Sequence, residues 1–473
     1  MSPRVVAAAL LAALWSLPSS ARTLHVPAPA MGDTARAAAV AIAQAQPGDT
    51  VLLGSGVHPG PLRIAHPIVL RGEPGAAVDG GGRGSVIEVG ASGTRIEELT
   101  VRASGTRVMD IDSGIHVIRA GGVEIRGVRL ENVLYGVYAE RAGQLTVAHC
   151  TLTGRVRPLD ESGEGNGLHL WYCSDVSVHD NDVSRFVDAV YLSFVTRMDA
   201  TRNRLHDNGR YGLHTMYCQQ NRFVENEVTR DVAGCALMFT NHVEIARNRI
   251  VRNRGSRTYG LLLRDCSDGR FEANHLVDNT IAIFMDGSNR NHLEGNLVQD
   301  NGWGILLFSS SAGNVFTGND FINNDYPVAL DMRRTDNRFD DGTHGNYWSE
   351  AAAFDLDGNG VSDVPFAPVS AFAFVSKQYP DLAVLAKSPA VASLAVAERV
   401  FPSLRPSEAV DRFPRVRPDP RFARVPRPPL ARGTRVVRET DTEPQVPRDW
   451  AAAAGFAVAG LVGVAGLVAG RRA

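Results

Sequence analysis

One spacing limits what this chain can fold into. Asparagine recurs at 181, 203, 226, 248, 274, 296 and 319, at intervals of 22 to 26 residues. An apolar residue stands three places before each, from Val178 and Ala200 to Leu293 and Phe316. Another stands two places after each, from Val183 and Leu205 to Val298 and Phe321. About fourteen residues upstream, a small residue opens a short alternating segment, as at 167–170 (GLHL), 212–215 (GLHT), 260–263 (GLLL) and 304–307 (GILL). Self-similarity at a fixed period marks a repeat architecture, and alternation with period 2 marks strands. No repeat carries a helical arm, which argues against leucine-rich repeats. The predicted fold is all-β, a right-handed parallel β-helix with one ~22-residue coil per repeat and coils stacked about 4.8 Å apart. Its apolar residues would line a continuous core, and its asparagines would stack in a ladder, each amide bonding the next coil.

The two ends differ from this middle. Arg4 and the apolar run 5–17 precede a small-residue site at 18–21, the pattern of a secretory signal peptide over 1–21. The β-helix is expected over 22–350, with residues 35–46 as an amphipathic N-terminal cap helix and 351–401 as a C-terminal capping or extension region. Residues 402–449 are rich in Pro and Arg and are expected to form an extended tether. Residues 451–470 carry no charge and lie between Trp450 and Arg471-Arg472, so 450–472 is expected to be a transmembrane anchor. The product would be a soluble body outside the membrane, held to it by a C-terminal tail anchor. The chain is 44% hydrophobic and 21% charged, which excludes a disordered chain. Its 49 Lys and Arg against 51 Asp and Glu give a net charge of −2 and no case for a nucleic-acid partner.

Chemistry would sit on outward strand positions. Aligning the alternating segments gives one outward column with His169, Tyr191, His214 and Met238, and beside it Trp171, Ser193, Met216 and Thr240. Imidazole and thioether together suit copper(I), a soft ion. His214, Met216, Met238 and His169 are therefore the candidate copper ligands, forming a shallow, exposed and under-coordinated face. Cys173, Cys218 and Cys266 share one slot on alternate coils, with Val195 and His242 between them. That separation of about 9.6 Å is beyond disulfide reach, so buried free thiols are expected. Asp355, Asp357, Asn359 and Asp363 resemble the front half of a calcium loop without its closing glutamate, and either a Ca²⁺-bound turn or a plain Asx turn fits them.

Residues 165–172 (GNGLHLWY), 210–217 (RYGLHTMY), 259–263 (YGLLL), 287–291 (GSNRN) and 346–348 (NYW) resemble the NosD family of nitrous-oxide reductase maturation proteins. The resemblance covers roughly 23–400. It implies a periplasmic, non-catalytic β-helix that works with the membrane and ATPase subunits of an ABC-type transporter. Such a protein receives copper from a chaperone lipoprotein and helps build the copper–sulfur centre of nitrous-oxide reductase. The family's His and Met positions carry onto His169, His214, Met216 and Met238. The Pro/Arg tether and terminal anchor are not features of that family. The alternative is a periplasmic polysaccharide-modifying enzyme, an epimerase or lyase, on the same fold. It needs paired acids on one face. Asp110, Asp112, Asp160, Glu161 and Glu164 cluster in irregular segments to which no face can be assigned.

Overall fold

The computed structural model describes residues 21–28, 36–158, 160–255, 258–378, 382, 385, 388–401 and 408–422. The expected signal peptide over 1–21, apart from residue 21, and the expected anchor at 450–472 lie outside them, and among the described residues no helix is long and apolar enough to cross a membrane.

Each repeat folds as three short strands that turn a corner between them. One coil, for example, runs through Ser174–His179, Asp182–Ser184 and Asp188–Ser193. Its strands pair in parallel with those one repeat later, Val178 with Ala200, Val183 with Leu205 and Tyr191 with His214. The stacking produces three parallel sheets of 13, 12 and 13 strands, wound as a right-handed solenoid of about 14 turns. The first sheet runs from Thr23–Val26 to Val315–Thr317, the second from Leu62–Ile64 to Tyr326–Leu330, and the third from Gly56–Pro59 to Tyr347–Trp348. Right-handedness is the rule for parallel crossovers, because strand twist lets the chain return onto its sheet only that way.

Alternation decides what faces inward. Val137, Leu168, Leu170, Leu192 and Leu263 are fully buried in one core that continues along the solenoid. The asparagines also lie inside. Asn181 Nδ2 donates to Asn203 Oδ1 at 2.9 Å, and the pattern repeats through Asn226, Asn248, Asn274, Asn296 and Asn319 to Asn346 at 2.9–3.0 Å. Each Nδ2 also bonds a backbone carbonyl of the preceding coil, as Asn203 does with Val178 O at 2.9 Å. A buried amide left without such partners would cost about 1–3 kcal/mol, so the ladder fixes the stacking register.

Helix α1 (Ala37–Gln44) is shorter than the expected 35–46 segment and buries Ala38 and Ile42 against the core. At the far end, helix α2 (Ala371–Gln378) and helix α3 (Pro389–Val400) lie beside the last strand of the second sheet, where Phe372 packs on Tyr326. The expectation of an extended tether from residue 402 is corrected over 408–422, which folds onto the solenoid. Asp411 is fully buried and accepts from Trp348 Nε1 at 2.8 Å and Asn346 N at 2.7 Å. Arg415 pairs with Asp320, and Arg412 with Asp340. These residues contribute polar bonds to a sheet end rather than apolar periodicity, so composition conceals them.

Candidate functional site

The candidate face is the outer side of the second sheet. One outward column runs His116, Tyr138, His169, Tyr191, His214, Ala236, Leu262 and Phe284. The neighbouring column runs Glu140, Trp171, Ser193, Met216, Met238, Arg264 and Asp286. This corrects the sequence alignment at one strand. Met238 stands over Met216, and Ala236 stands over His214. The cause is Cys235, which occupies the inward slot of Leu213 and Leu261 and is 3% exposed. A buried free cysteine packs as a small hydrophobe, and reading it as one shifts the strand Ala233–Met238 by two residues. Two thioether side chains therefore leave adjacent coils side by side, with backbones about 4.8 Å apart.

His214 lies two residues before Met216 on the same face. The expected exposed imidazole is corrected, since His214 is 5% exposed. The rings of Tyr191 and Tyr211 stand edge-on to it at 4.8 and 4.9 Å. Its Nδ1 is 2.9 Å from Asp188 Oδ2. Asp188 is fully buried and also accepts two bonds from the Arg210 guanidinium, at 2.9 and 2.7 Å. Burial pushes the Asp188 carboxyl up, but the bonds from His214 and Arg210 outweigh it and hold the group ionised below its usual range. An ionised carboxylate at Nδ1 assigns a proton to that nitrogen, so Nε2 is the nitrogen left to face a ligand. Nε2 is buried and has no hydrogen-bond partner. This is the carboxylate–imidazole arrangement that aims a metal-ligating nitrogen.

His169 is held differently. Asn166 Nδ2 donates to its Nδ1 at 3.0 Å, and Tyr138 stacks on its ring at 4.4 Å. Burial pushes its pKa down to about 4. The ring of Tyr191 stands between it and His214, at 4.6 and 4.8 Å from the two imidazoles. The structure therefore groups His214 with Met216 and Met238 and sets His169 one aromatic layer away. Tyr191 links the two parts, because its hydroxyl donates to Met216 Sδ at 3.5 Å. Beside them a cleft of about 390 Å³ is lined by Ile111, Tyr138, Glu140, His169, Trp171, Tyr191 and Ser193. Asp188, Arg210 and Tyr211 escaped the sequence reading. Their signal is the step of one coil from Asp188, which lands on Tyr211 with Arg210 beside it.

The cysteines lie inside the solenoid rather than on this face. All five are free and buried. Burial pushes Cys150 and Cys218 up to about 11, Cys266 to about 12, and Cys235 higher still, so the thiols stay protonated. Thr240, not His242, occupies the slot between Cys218 and Cys266. The carboxylates of the 355–363 turn are occupied by the loop's own backbone. Asp355 accepts from Asn359 N and Gly360 N at 3.0 Å each, and Asp363 accepts from Leu356 N at 2.7 Å. Among the described residues, three ligand atoms of His, Cys, Asp or Glu converge within 4.8 Å only at His149, His179 and Asp180, on a corner of the first sheet. There Asp180 is already clamped by Arg202 through two bonds of 2.8 Å.

A family model described as "Periplasmic copper-binding protein (NosD)" matches residues 153–353, a span that contains the whole His–Met group. A curated relative from Pseudomonas aeruginosa, "Probable ABC transporter binding protein NosD", is 33% identical over 386 residues, covering 77% of this chain and 87% of that protein. The chain belongs to the NosD family. A NosD of the same description from Stutzerimonas stutzeri is 28% identical over 380 residues, covering 76% of this chain and 85% of the relative. Among solved structures, the Dettilon tailspike protein is similar with TM-score 0.48 and 16% identity, covering 67% of this chain and 70% of that one. The periplasmic alginate epimerase AlgG is similar with TM-score 0.37 and 14% identity, covering 60% and 76%.

Proposed function

We propose that the chain is a periplasmic accessory protein for nitrous-oxide reductase maturation. It takes up Cu(I) as cargo on the Met216, Met238 and His214 group and passes it on, working with an ABC-type transporter toward the copper–sulfur centre of the reductase. The observation that carries this reading is the stacking of Met216 and Met238 on adjacent coils, with the unpaired Nε2 of His214 on the same strand as Met216. Two thioethers and one imidazole form a soft donor set with no anionic ligand, which favours Cu(I) over harder ions and lets it leave. The relatives' names as ABC transporter binding proteins support the transporter link, and the family description supports copper. The role is non-catalytic. In favour of that, Glu140 is the sole carboxylate lining the cleft, where a polysaccharide lyase or hydrolase would need a pair.

The test is the metal content of the client. In cells carrying Met216→Leu with Met238→Leu, the purified reductase should be copper-poor, and the purified variant should bind Cu(I) at least tenfold more weakly in a bicinchoninate competition. A reductase with its full copper complement in that strain would contradict the proposal.

A further inference from the structure

A row of four aromatic rings stands at the edge of the second sheet and has no role in the group just described. Tyr172, Phe194, Tyr217 and Phe239 occupy one corner slot on four successive coils, each directly after Trp171, Ser193, Met216 and Met238. The rings stack nearly parallel, at 4.6, 5.1 and 4.8 Å between centroids and 8–10° between planes. They are 48, 40, 48 and 37% exposed. All four hold a left-handed backbone, with φ of 52, 54, 55 and 51°. That conformation is disfavoured for bulky side chains and common for Asn and Gly. Elsewhere in the slot the residues are of the ordinary corner kind, Arg119 and Arg141 on one side and Asp265 and Gly287 on the other. Large apolar rings in a strained and wet position are thus confined to the coils that carry the Met pair and its cleft.

We infer that this ladder is the docking strip for the protein that hands Cu(I) to Met216 and Met238, an inference that rests on the copper reading above. Because the rings cover one another's faces, only their edges meet solvent. That suits apolar side chains of a protein better than a sugar, which stacks on ring faces. The strip offers roughly 300 Å² of ring surface. A stable dimer needs about 800 Å² from each partner, so the size fits a brief hand-off rather than a second copy of this chain. Charge gives the strip a direction. Arg141 lies over the rings of Trp171 and Tyr172 at 5.6 and 5.8 Å, at one end, and Asp265 follows Arg264 at the other. The partner is therefore a metal-carrying protein with an apolar patch beside its own soft ligands, acidic toward Arg141 and basic toward Asp265.

The test compares two copper donors on the full chain. One is Cu(I)–bicinchoninate, which needs no docking. The other is a Cu(I)-loaded protein of that chemistry, the chaperone lipoprotein that the NosD resemblance implies as copper donor. In the fourfold variant Tyr172→Asn, Phe194→Asn, Tyr217→Asn and Phe239→Asn, uptake from bicinchoninate should stay within twofold, and uptake from the lipoprotein should slow at least tenfold. Tm should hold or rise, because Asn adopts the left-handed backbone readily. Arg141→Glu keeps every ring and should slow the lipoprotein reaction alone, with weaker salt dependence. Equal rates from both donors would overturn the docking strip. So would a fall in Tm together with unchanged lipoprotein transfer by Arg141→Glu, which would make the ladder structural, or a dimer that dissociates in the fourfold variant. If the unaltered chain takes no Cu(I) from bicinchoninate, the copper reading itself fails and the strip falls with it.

Discussion

Residue 231 shows how much one atom matters inside this solenoid. Asn208, Asp231, Asn253, Asn279, Asn301 and Asn324 occupy successive places in a second internal column. Asp231 is fully buried. Its Oδ1 accepts from Asn208 N at 2.8 Å and Nδ2 at 3.1 Å, and its Oδ2 has no partner. Burial pushes its pKa well above 3.8, which favours the neutral acid in the folded protein. A folded pKa above the unfolded value contributes stability that is present at low pH and lost as pH rises past about 4 toward the folded pKa. Asparagine would stay neutral at every pH and could donate its Nδ2 to Asn253 Oδ1. Asp231→Asn should therefore raise stability by about 1–3 kcal/mol at pH 7 and flatten the fall in stability that sets in above about pH 4, read for instance at pH 5 and pH 8. Urea denaturation at both pH values checks this, and a less stable variant would contradict it. The odd carboxyl is visible in the sequence only once the coils are aligned, because Asp231 interrupts a column otherwise made of asparagine.

At the scale of elements, the informative piece is the segment 408–422. Each sheet ends on a single bridging residue at the C-terminal side: Arg338 beside Val315, Val369 beside Val328, and Arg415 beside Tyr347. An open sheet edge invites pairing with another chain, and such contacts blunt it. The long asparagine ladder closes on the same segment, where Asn346 donates its backbone N–H to Asp411 at 2.7 Å. Asp411→Ala would orphan that N–H and the Trp348 indole N–H, both buried. The expected loss is about 2–4 kcal/mol, read as a lower urea midpoint with an unchanged slope. A change under about 0.5 kcal/mol, the range of ordinary surface substitutions, would mean the segment is not an end-piece. Sequence reasoning read these residues as tether because Pro and Arg cannot build an apolar core. It could not foresee that the last coil lacks hydrogen-bond acceptors rather than apolar cover.

For the whole molecule, period and alternation carried the solenoid and the asparagine ladder, since both follow from spacing alone, whereas the division of each coil into three strands emerges only in the structure. The site was legible in part. His214, Met216 and Met238 do share one outer face, but their order over one another depends on a cysteine counted as core at 235. The Asp188–Arg210 clamp and the tyrosines over His214 depend on contacts between coils that a single repeat does not reveal. The proposed Cu(I) site consists of two thioethers and one imidazole on that face. Copper K-edge EXAFS of the Cu(I)-loaded protein tests it most directly. Two sulfur scatterers and one nitrogen are expected, with both sulfurs lost in the Met216→Leu, Met238→Leu variant. A first shell of nitrogen and oxygen only, or sulfur that survives in that variant, would contradict it.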